Sequence, residues 1–347
     1  MSNRLPLIIA AGAVVIAGGY FGLSVYAGKQ AQKHLEDWVY DMSLDDKLSW
    51  ESVSSSPLGG RVSIAGLEVE MGQNKPNLQI AEVVISERVE DDTQTRVRLQ
   101  LKGIEADSSA FRDLRSLSAM AGGSLNREFA RASHGFEPAL NSGLATLKPF
   151  DLEMYFNVDD DAGTLETELA IALPELFDTR VSYRLDNQRD LNRNLKRLGD
   201  DIDGESNLFE LLGQLEVLGR SLERAEIGSI RVSLQDRGML ERSIALHQRY
   251  NTPLDPTAGS ADKQRRAHYE QLVADTVKNC ERESRDLPKG MDNGCELVSK
   301  VMLGKVDGVE LIMEPKESVR LTDLAKLDDA RSGKRVLERL NPQLDSL

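Results

Sequence analysis

The side chains most able to do chemistry are few and lie far apart in the chain. The 347 residues include only four histidines and two cysteines, namely His34, His134, His247, His268, Cys280 and Cys295. No histidine has a second His or Cys at the spacing of zinc ligands, so a zinc site is not predicted. Neither cysteine lies near a histidine, and no Gly-x-Ser-x-Gly motif supplies a hydrolase nucleophile. We therefore predict no catalytic residue and no enzyme.

One acidic cluster resembles a calcium loop. Four positions of an EF-hand loop are matched by Asp201, Asp203, Gly204 and Glu210. The first ligand position, however, falls on Gly199, which offers no carboxylate. A solvated loop before a capped helix explains the same residues. We predict no metal and no cofactor.

The two cysteines are better explained as a structural disulfide. Cys280 and Cys295 lie 15 positions apart, with the turn-forming segment 285–290 between them. A bridge at this separation closes a helix–loop–helix and stabilises it by about 3 kcal/mol in the chain-entropy model. Disulfides persist in the periplasm and in other oxidising spaces. Two unrelated buried thiols are the alternative.

The first thirty residues indicate a membrane anchor. No charged residue occurs from Leu5 to Gly28, a stretch of 24 positions, and about 20 apolar residues suffice to cross a bilayer as a helix. A cleaved signal peptide is the alternative, with Val25-Tyr26-Ala27 as its cleavage site, although signal cores run only about 7–15 apolar residues. We expect a cytoplasmic tail at residues 1–4 and a single-pass anchor at 5–28, because long domains translocate largely regardless of charge.

Beyond the anchor the chain is acidic. After Lys33 there are 40 Lys and Arg residues against 57 Asp and Glu, a balance of −17. A domain of this charge is repelled by nucleic acid and by anionic lipid headgroups. Nucleic-acid binding is therefore excluded as a function class, and any contact with a lipid must be apolar.

Three successive strand-like segments share one irregularity. A helix is predicted next to the anchor over 29–48, and strands follow over 61–71, 77–86 and 95–104. In each strand the apolar alternation slips by one position, as it does at a bulge or a glycine kink. Strands with the same phase change predict a sheet that is curved rather than flat.

The clearest hairpin of the chain lies between residues 150 and 173. Apolar residues alternate with polar ones on both arms, and the run Asp159–Asp161 before Gly163 favours a tight turn over a calcium site. The apolar face of such strands must be covered. The residues that we predict to line a lipid-facing surface are Phe150, Leu152, Met154, Phe156, Leu165, Leu169 and Ile171. An ordinary core covered by a helix over Leu208–Leu222 is the alternative.

The second half of the chain is richer in helix. Helices are predicted over 238–250, 262–280 and 296–303, and strands over 309–313 and 319–321. The fold class is therefore α+β: one N-terminal transmembrane helix, then a curved, mostly antiparallel β-sheet with helices packed on or beside it. We expect one β-rich domain over 49–327, with a helical second half, and a helical C-terminal tail over 328–347.

Two segments carry a family resemblance. A glycine-punctuated strand occupies 57–67 (PLGGRVSIAGL), and a strand that leads into a helix occupies 230–242 (IRVSLQDRGMLER). Together with the single N-terminal anchor, they resemble the AsmA-like and YdgA-like bacterial envelope proteins. The resemblance implies an inner-membrane anchor, a periplasmic curved sheet with an apolar inner face, and no catalytic residues. Larger relatives in this group are implicated in moving phospholipid toward the outer membrane.

These observations favour a non-enzymatic protein of the bacterial inner membrane whose bulk lies in the periplasm. Its expected partner is membrane lipid, bound in an apolar groove, and its expected role is lipid binding or phospholipid handling between membranes. The alternative is an anchored periplasmic scaffold that binds another envelope protein.

Overall fold

The computed structural model describes residues 32–33, 35–36, 39–40, 47–56, 60–70, 78–105, 144, 147–202, 223–284, 288–328 and 330–347. The chain is α+β, with a large and mostly antiparallel sheet of 11 strands and several helices. The predicted anchor at 5–28 lies outside the described residues. Within the described part of the chain, no helix is both long enough and apolar enough to cross a membrane.

The strands follow one another along the sheet nearly in chain order. Their bounds are β1 (Leu48–Ser49), β2 (Ser52–Ser55), β3 (Arg61–Val69), β4 (Leu78–Glu90), β5 (Gln94–Glu105), β6 (Phe150–Asp159), β7 (Thr164–Leu173), β8 (Phe177–Asp186), β9 (Glu226–Asp236), β10 (Gly308–Met313) and β11 (Pro342–Ser346). The order in the sheet is β1-β3-β4-β5-β6-β7-β8-β9-β10-β11, and β2 also pairs with β3. Short turns join β4 to β5, β6 to β7 and β7 to β8, whereas longer segments join the other neighbours.

The helices lie mainly in the second half of the chain. Their bounds are α1 (Leu191–Ile202), α2 (Met239–Tyr250), α3 (Ala261–Glu283), α4 (Gly294–Met302) and α5 (Ala330–Leu340), with 3-10 segments at Lys289–Met291 and Leu321–Asp328. The start of α2 is held by Asp236, whose carboxylate accepts the backbone N–H groups of Gly238 and Leu240, each at 2.9 Å. Such side-chain acceptors satisfy N–H groups that lack a partner inside the helix.

Contacts divide the chain into two compact units. The first unit draws on Met1–Gly122, Thr146–Ile171 and Ser182–Gly228, and the second on Gly123–Ala145, Ala172–Val181 and Ser229–Leu347. The first unit contains β1 to β6 and α1, whereas the second contains β10, β11 and α2 to α5.

Two of the three predicted phase slips, those of β3 and β5, are confirmed as glycine kinks, and they lie at one line across the sheet. Gly66 has φ +61° and Gly103 has φ +62°, in the left-handed region that favours glycine. Ala81 of β4 lies between them, and a Cβ built on Gly103 would come within 2.9 Å of the Ala81 Cβ. Between β5 and β6 the register also shifts, and the Asp151 carboxylate accepts the Gly103 N–H at 2.8 Å.

Two predictions near the C-terminus are wrong in part. The predicted strand over 319–321 is not formed. Val319 is instead fully buried in a coil, and a 3-10 segment begins at Leu321. The predicted helical tail over 328–347 is helical only as far as Leu340. Asn341 has φ +50°, and Pro342–Ser346 forms β11, which pairs antiparallel with β10. Hydrogen bonds to β10, rather than the weak apolar pattern of these five residues, explain that strand.

The disulfide loop of the second unit docks on this last strand. Cys280 of α3 and Cys295 of α4 are joined as a disulfide, with their Cα atoms 5.7 Å apart. Between them, the Asn293 side-chain amide donates a hydrogen bond to the Leu344 carbonyl at 2.8 Å. A Cβ on Gly290 would overlap the Pro342 carbonyl oxygen, so the loop approaches β11 closely.

We expect Gly103→Ala to lower the free energy of unfolding by about 2–3 kcal/mol, since the residue must adopt a positive φ and its Cβ would collide with that of Ala81. Urea unfolding of the full chain measures the change. Gly60→Ala is the control, because Gly60 lies in the same unit and a Cβ there meets nothing within 4 Å. Equal losses from both variants would contradict the kink as a structural requirement.

Replacement of both cysteines by serine is expected to destabilise the second unit by about 3 kcal/mol, because the bridge closes a loop of 15 residues. Hydrogen exchange of amides in α3 and α4 would report the loss, with amides of β4 in the first unit as the internal reference. Unchanged protection in α3 and α4 would show that packing alone holds these helices.

Candidate functional site

One face of the first unit carries apolar rows that cross four strands. In the first row Ile64, Val83, Leu101 and Leu152 pair in sequence from β3 to β6. The neighbouring rows are Val62, Ile85, Leu99 and Met154 on one side, and Leu67, Ile80, Ile104 and Phe150 on the other. Because the glycine kinks are aligned, every slip preserves these rows and keeps the apolar side chains on one face.

Burial in these rows is greatest at β4. Val83 is fully buried, and Ile80 and Ile85 are 3% and 4% exposed. Val62 of β3, Leu101 of β5, and Leu152 and Met154 of β6 are only partly buried, although they pack against the same core. The centre of this face therefore forms an ordinary core, and accessible apolar surface remains away from β4, including at β6.

The segment that follows the predicted anchor packs on this same face. Gln32, Lys33, Leu35, Glu36, Val39 and Tyr40 are helical. Leu35 and Val39, which are one helical turn apart, are buried in the cluster formed by the apolar rows. The predicted helix over 29–48 therefore contributes an apolar stripe to the core of the first unit, although Leu48 itself belongs to β1.

The structure brings together part of the predicted lipid-facing set. Phe150, Leu152 and Met154 lie in the apolar rows, and Phe156 of β6 pairs with Val97 of β5. The other three belong to β7, where Leu165 is 6% exposed and Leu169 and Ile171 are partly buried. The set as a lipid surface stays a prediction, and the helix predicted to cover it, Leu208–Leu222, lies outside the described residues.

Sequence reasoning did not assign β3, β4 and β5 to this surface. Their apolar residues supply the larger part of the rows, including Ile64, Val83 and Leu101. The shared position of the three phase slips was the signal that could have found them, because strands with matching slips keep matching faces when they pair in register.

The opposite face of the same strands is polar and pairs internally. The Glu82 carboxylate accepts hydrogen bonds from the Ser63 hydroxyl at 2.6 Å and from the Lys102 ammonium at 2.9 Å. These two bonds lower the pKa of Glu82. Arg98 donates to Glu87 at 2.7 Å and lies over the Tyr155 ring, 4.7 Å from its centroid. At these two sites the charges of this face are paired within the sheet.

The acidic run of the hairpin forms the predicted tip and also holds a helix. The Asp160 carboxylate accepts the backbone N–H of Asn192 at 2.8 Å and that of Arg193 at 3.2 Å, at the start of α1. Asp159 accepts the Ala162 N–H at 2.8 Å. Burial raises the pKa of Asp160, and the two N–H groups only partly oppose this effect.

The described part of the chain contains no group of three or more His, Cys, Asp or Glu residues placed to hold a metal. Asp203, Gly204 and Glu210 of the EF-hand-like pattern lie outside the described residues. His247 contacts the Tyr269 ring edge-on, with ring centroids 5.6 Å apart. The candidate site is the partly buried apolar surface at β6, where burial of an aliphatic chain would gain about 0.8 kcal/mol per methylene.

No protein-family model matches the chain, and no curated protein sequence matches it significantly. The resemblance to AsmA-like and YdgA-like proteins therefore stays a prediction from the segments at 57–67 and 230–242.

We expect Asp160→Asn to become more favourable relative to the wild type as pH rises. Because the pKa of Asp160 is raised in the folded state, its stabilising contribution is full below the ordinary Asp pKa of about 3.9 and is lost as pH rises through the folded-state pKa. Asparagine keeps only one of the two acceptor oxygens that Asp160 uses, so the variant also loses one hydrogen bond at every pH, and the pH-dependent part of the difference reports the charge. Urea unfolding at a series of pH values from about 3 to about 7 measures the difference.

Asp161→Asn controls for the loss of one charge at the exposed neighbouring position. If the free energy of unfolding of Asp160→Asn minus that of wild type stays constant or falls as pH rises, the raised pKa is contradicted.

Proposed function

We propose that the chain is a non-enzymatic protein of the bacterial envelope, held in the inner membrane by a retained helix at residues 5–28, with its bulk in the periplasm. Its role is lipid binding or phospholipid handling between membranes. In this proposal, acyl chains bind to the apolar face of the sheet at its β6–β7 margin. The observation that carries the proposal is the gradient of burial along the apolar rows, from fully buried Val83 to partly buried Leu152.

The proximity of the predicted anchor supports a lipid as the ligand. Leu35 is buried against the apolar rows, and it follows Gly28 by only seven residues. Even a fully extended chain of seven residues spans at most about 25 Å. The apolar surface therefore begins within one bilayer thickness of the point where the predicted helix leaves the membrane.

The kinks and the pairing of charges support a groove. Gly66 of β3 and Gly103 of β5 bend the strands on either side of β4 at one line, as expected of a curved sheet. On the opposite face, Glu82 and Arg98 are paired within the sheet, so these two charges are not available to a partner. Burial of about ten methylenes would contribute about 8 kcal/mol, which is enough for stable capture of one acyl chain.

The disulfide supports an oxidising compartment. Cys280 and Cys295 are joined, and such bridges persist in the periplasm but are rare in the cytosol. The segments at 57–67 and 230–242 add the resemblance to AsmA-like and YdgA-like envelope proteins, whose larger relatives are implicated in phospholipid transfer.

A second candidate function is an anchored periplasmic scaffold that binds another envelope protein. Exposed apolar side chains of the helical half favour it. Tyr250 is 70% exposed at the end of α2, and Leu254, Leu272 and Val298 are also exposed. Single exposed apolar residues are common on protein surfaces, so this observation carries less weight than the gradient of burial.

Photo-crosslinking in cells tests both candidates. A benzophenone side chain is placed at Met154 or Leu169, with Gln79 as the matched control, because Gln79 is exposed on β4 next to buried Ile80. We expect phospholipid adducts at Met154 and Leu169, detected by mass spectrometry, at levels well above those at Gln79. Equal or absent lipid adducts at all three positions would overturn lipid binding at this margin.

A benzophenone side chain at Tyr250 tests the second candidate function, the anchored scaffold. A stoichiometric adduct with one envelope protein at Tyr250, together with no lipid at Met154, would favour the scaffold over lipid binding.

A further inference from the structure

The disulfide loop contains the one Asn-Gly step of the chain, at Asn293 and Gly294. Asparagine followed by glycine is the pair most prone to lose its side-chain amide, because a glycine backbone nitrogen can approach the asparagine side chain without hindrance from a Cβ. Asn293 is exposed, so water reaches its amide group. The residue types and the exposure therefore mark one position at which this modification can occur.

The reaction needs no reagent other than water. The Gly294 nitrogen gives its proton to solvent base and attacks the Asn293 Cγ. An N–Cγ bond forms, the Cγ–Nδ2 bond breaks, and the amide leaves as ammonia with a proton from water. Water then opens the cyclic imide at either carbonyl, which gives aspartate or isoaspartate. Gly294 is the first residue of α4, so its N–H has no partner inside the helix and is available for this step.

The folded loop holds Asn293 in a conformation that does not react. The five-membered ring closes only when the Gly294 nitrogen eclipses the Cβ of Asn293. The ψ angle of Asn293 is −1°, at which the Gly294 nitrogen instead eclipses the backbone nitrogen of Asn293. Rotation about this bond would turn away the Asn293 carbonyl, which accepts the Leu297 N–H at 2.8 Å. Cyclisation therefore requires the first turn of α4 to open.

The disulfide is the covalent restraint on that opening. Cys295 directly follows Gly294 and is joined to Cys280 of α3, with the two Cα atoms 5.7 Å apart. Cys295 and Leu297, both in the first turn of α4, are buried. A bridge across 15 residues makes local opening rarer, because the opened chain gains fewer conformations when its ends stay joined.

We propose that Asn293 is a deamidation site that the Cys280–Cys295 bridge protects. A dithiol reduces the bridge to two thiols and is itself oxidised to a cyclic disulfide. The first turn of α4 then opens more often, and Asn293 cyclises. This site is independent of the lipid surface and of the membrane anchor, and either proposal can fail without the other.

The products differ from asparagine in the group that meets β11. The Asn293 amide donates to the Leu344 carbonyl at 2.8 Å, whereas a carboxylate has no N–H to donate. Two acceptors would then face each other, and that contact would be lost. Isoaspartate also adds one methylene to the backbone before Cys295. A passing reduction of the bridge is thereby converted into a change that reoxidation does not reverse.

Peptide mass spectrometry measures the reaction. The full chain in a neutral detergent is incubated at mildly alkaline pH with or without a dithiol, and is then digested with pepsin at acidic pH, where cyclisation is slow. We expect the dithiol to speed deamidation of Asn293 at least about tenfold, since loss of a bridge over this loop length raises an opening equilibrium by up to about a hundredfold. Equal rates with and without the dithiol would overturn the protection.

Asn251 is the internal reference for the site. It is also exposed, but it is followed by the β-branched Thr252, which hinders the approach of the backbone nitrogen. In the reduced chain we expect Asn293 to deamidate faster than Asn251. A rate at Asn293 no higher than that at Asn251 would overturn the site.

Two variants separate the chemistry from other effects of the dithiol. In Gly294→Ala the new Cβ would lie 3.6 Å from the Leu344 Cδ2, an ordinary van der Waals distance, so the loop is not crowded. We expect deamidation of Asn293 to be largely lost in this variant, and an unchanged rate would overturn attack by the Gly294 nitrogen. Replacement of both cysteines by serine should give the fast rate with and without the dithiol. A slow rate in that variant would overturn the role of the bridge.

Asn293→Asp reproduces one product and tests its effect on the contact with β11. With the bridge intact, hydrogen exchange over residues 288–294 should be faster in this variant than in the wild type, because the bond to Leu344 is lost. Asn251→Asp adds the same charge at an exposed position of the same unit and should leave this exchange unchanged. Equal exchange in wild type and Asn293→Asp would overturn the predicted loss of contact.

Discussion

The contact between one helical stripe and a set of aligned apolar rows is the constraint on which the first unit depends. Leu35 and Val39 lie against rows that cross β3, β4 and β5. Those rows exist only because each strand slips in phase at the same line, where Gly66 and Gly103 take positive φ. Without matched slips, half of each strand would turn its apolar residues to the other face. Core, kink and helix contact are therefore parts of one arrangement.

The two faces of the sheet are stabilised by different kinds of interaction. The apolar face gains its stability from burial, which is non-directional and tolerates a graded margin at β6. The polar face gains order from directed contacts, such as those of Glu82 with Ser63 and Lys102. Since these exposed pairs contribute little stability, their main effect is to leave few unpaired charges on that face. A ligand or partner would therefore find more to bind at the apolar margin.

Periodicity allowed much of the sheet to be predicted from the sequence. The alternation in β6 and β7 and the acidic turn between them located the hairpin, and the slips located the kinks. The capping role of Asp160 could not be predicted, because α1 begins 31 residues later and only the fold brings them together. β11 was missed for a related reason, since its partner β10 lies about 30 residues away. Local pattern fails where long-range pairing determines the structure.

The candidate site was predictable only in part. Alternation identified Leu152 and Met154 as apolar and inward, but the degree of exposure depends on neighbouring elements that the sequence does not place.

The docking of Asn293 and Gly290 on β11 has a consequence for when the protein can fold safely. β11 is the last strand of the sheet, and a bare terminal strand is a template on which other chains can add and aggregate. Here the loop that shields it is itself closed by the Cys280–Cys295 bridge. Reduction of this disulfide would leave the loop less firmly held against β11. Protection of the sheet edge therefore depends on the redox conditions in which the chain folds, so that folding under reducing conditions would carry the greater risk of self-association.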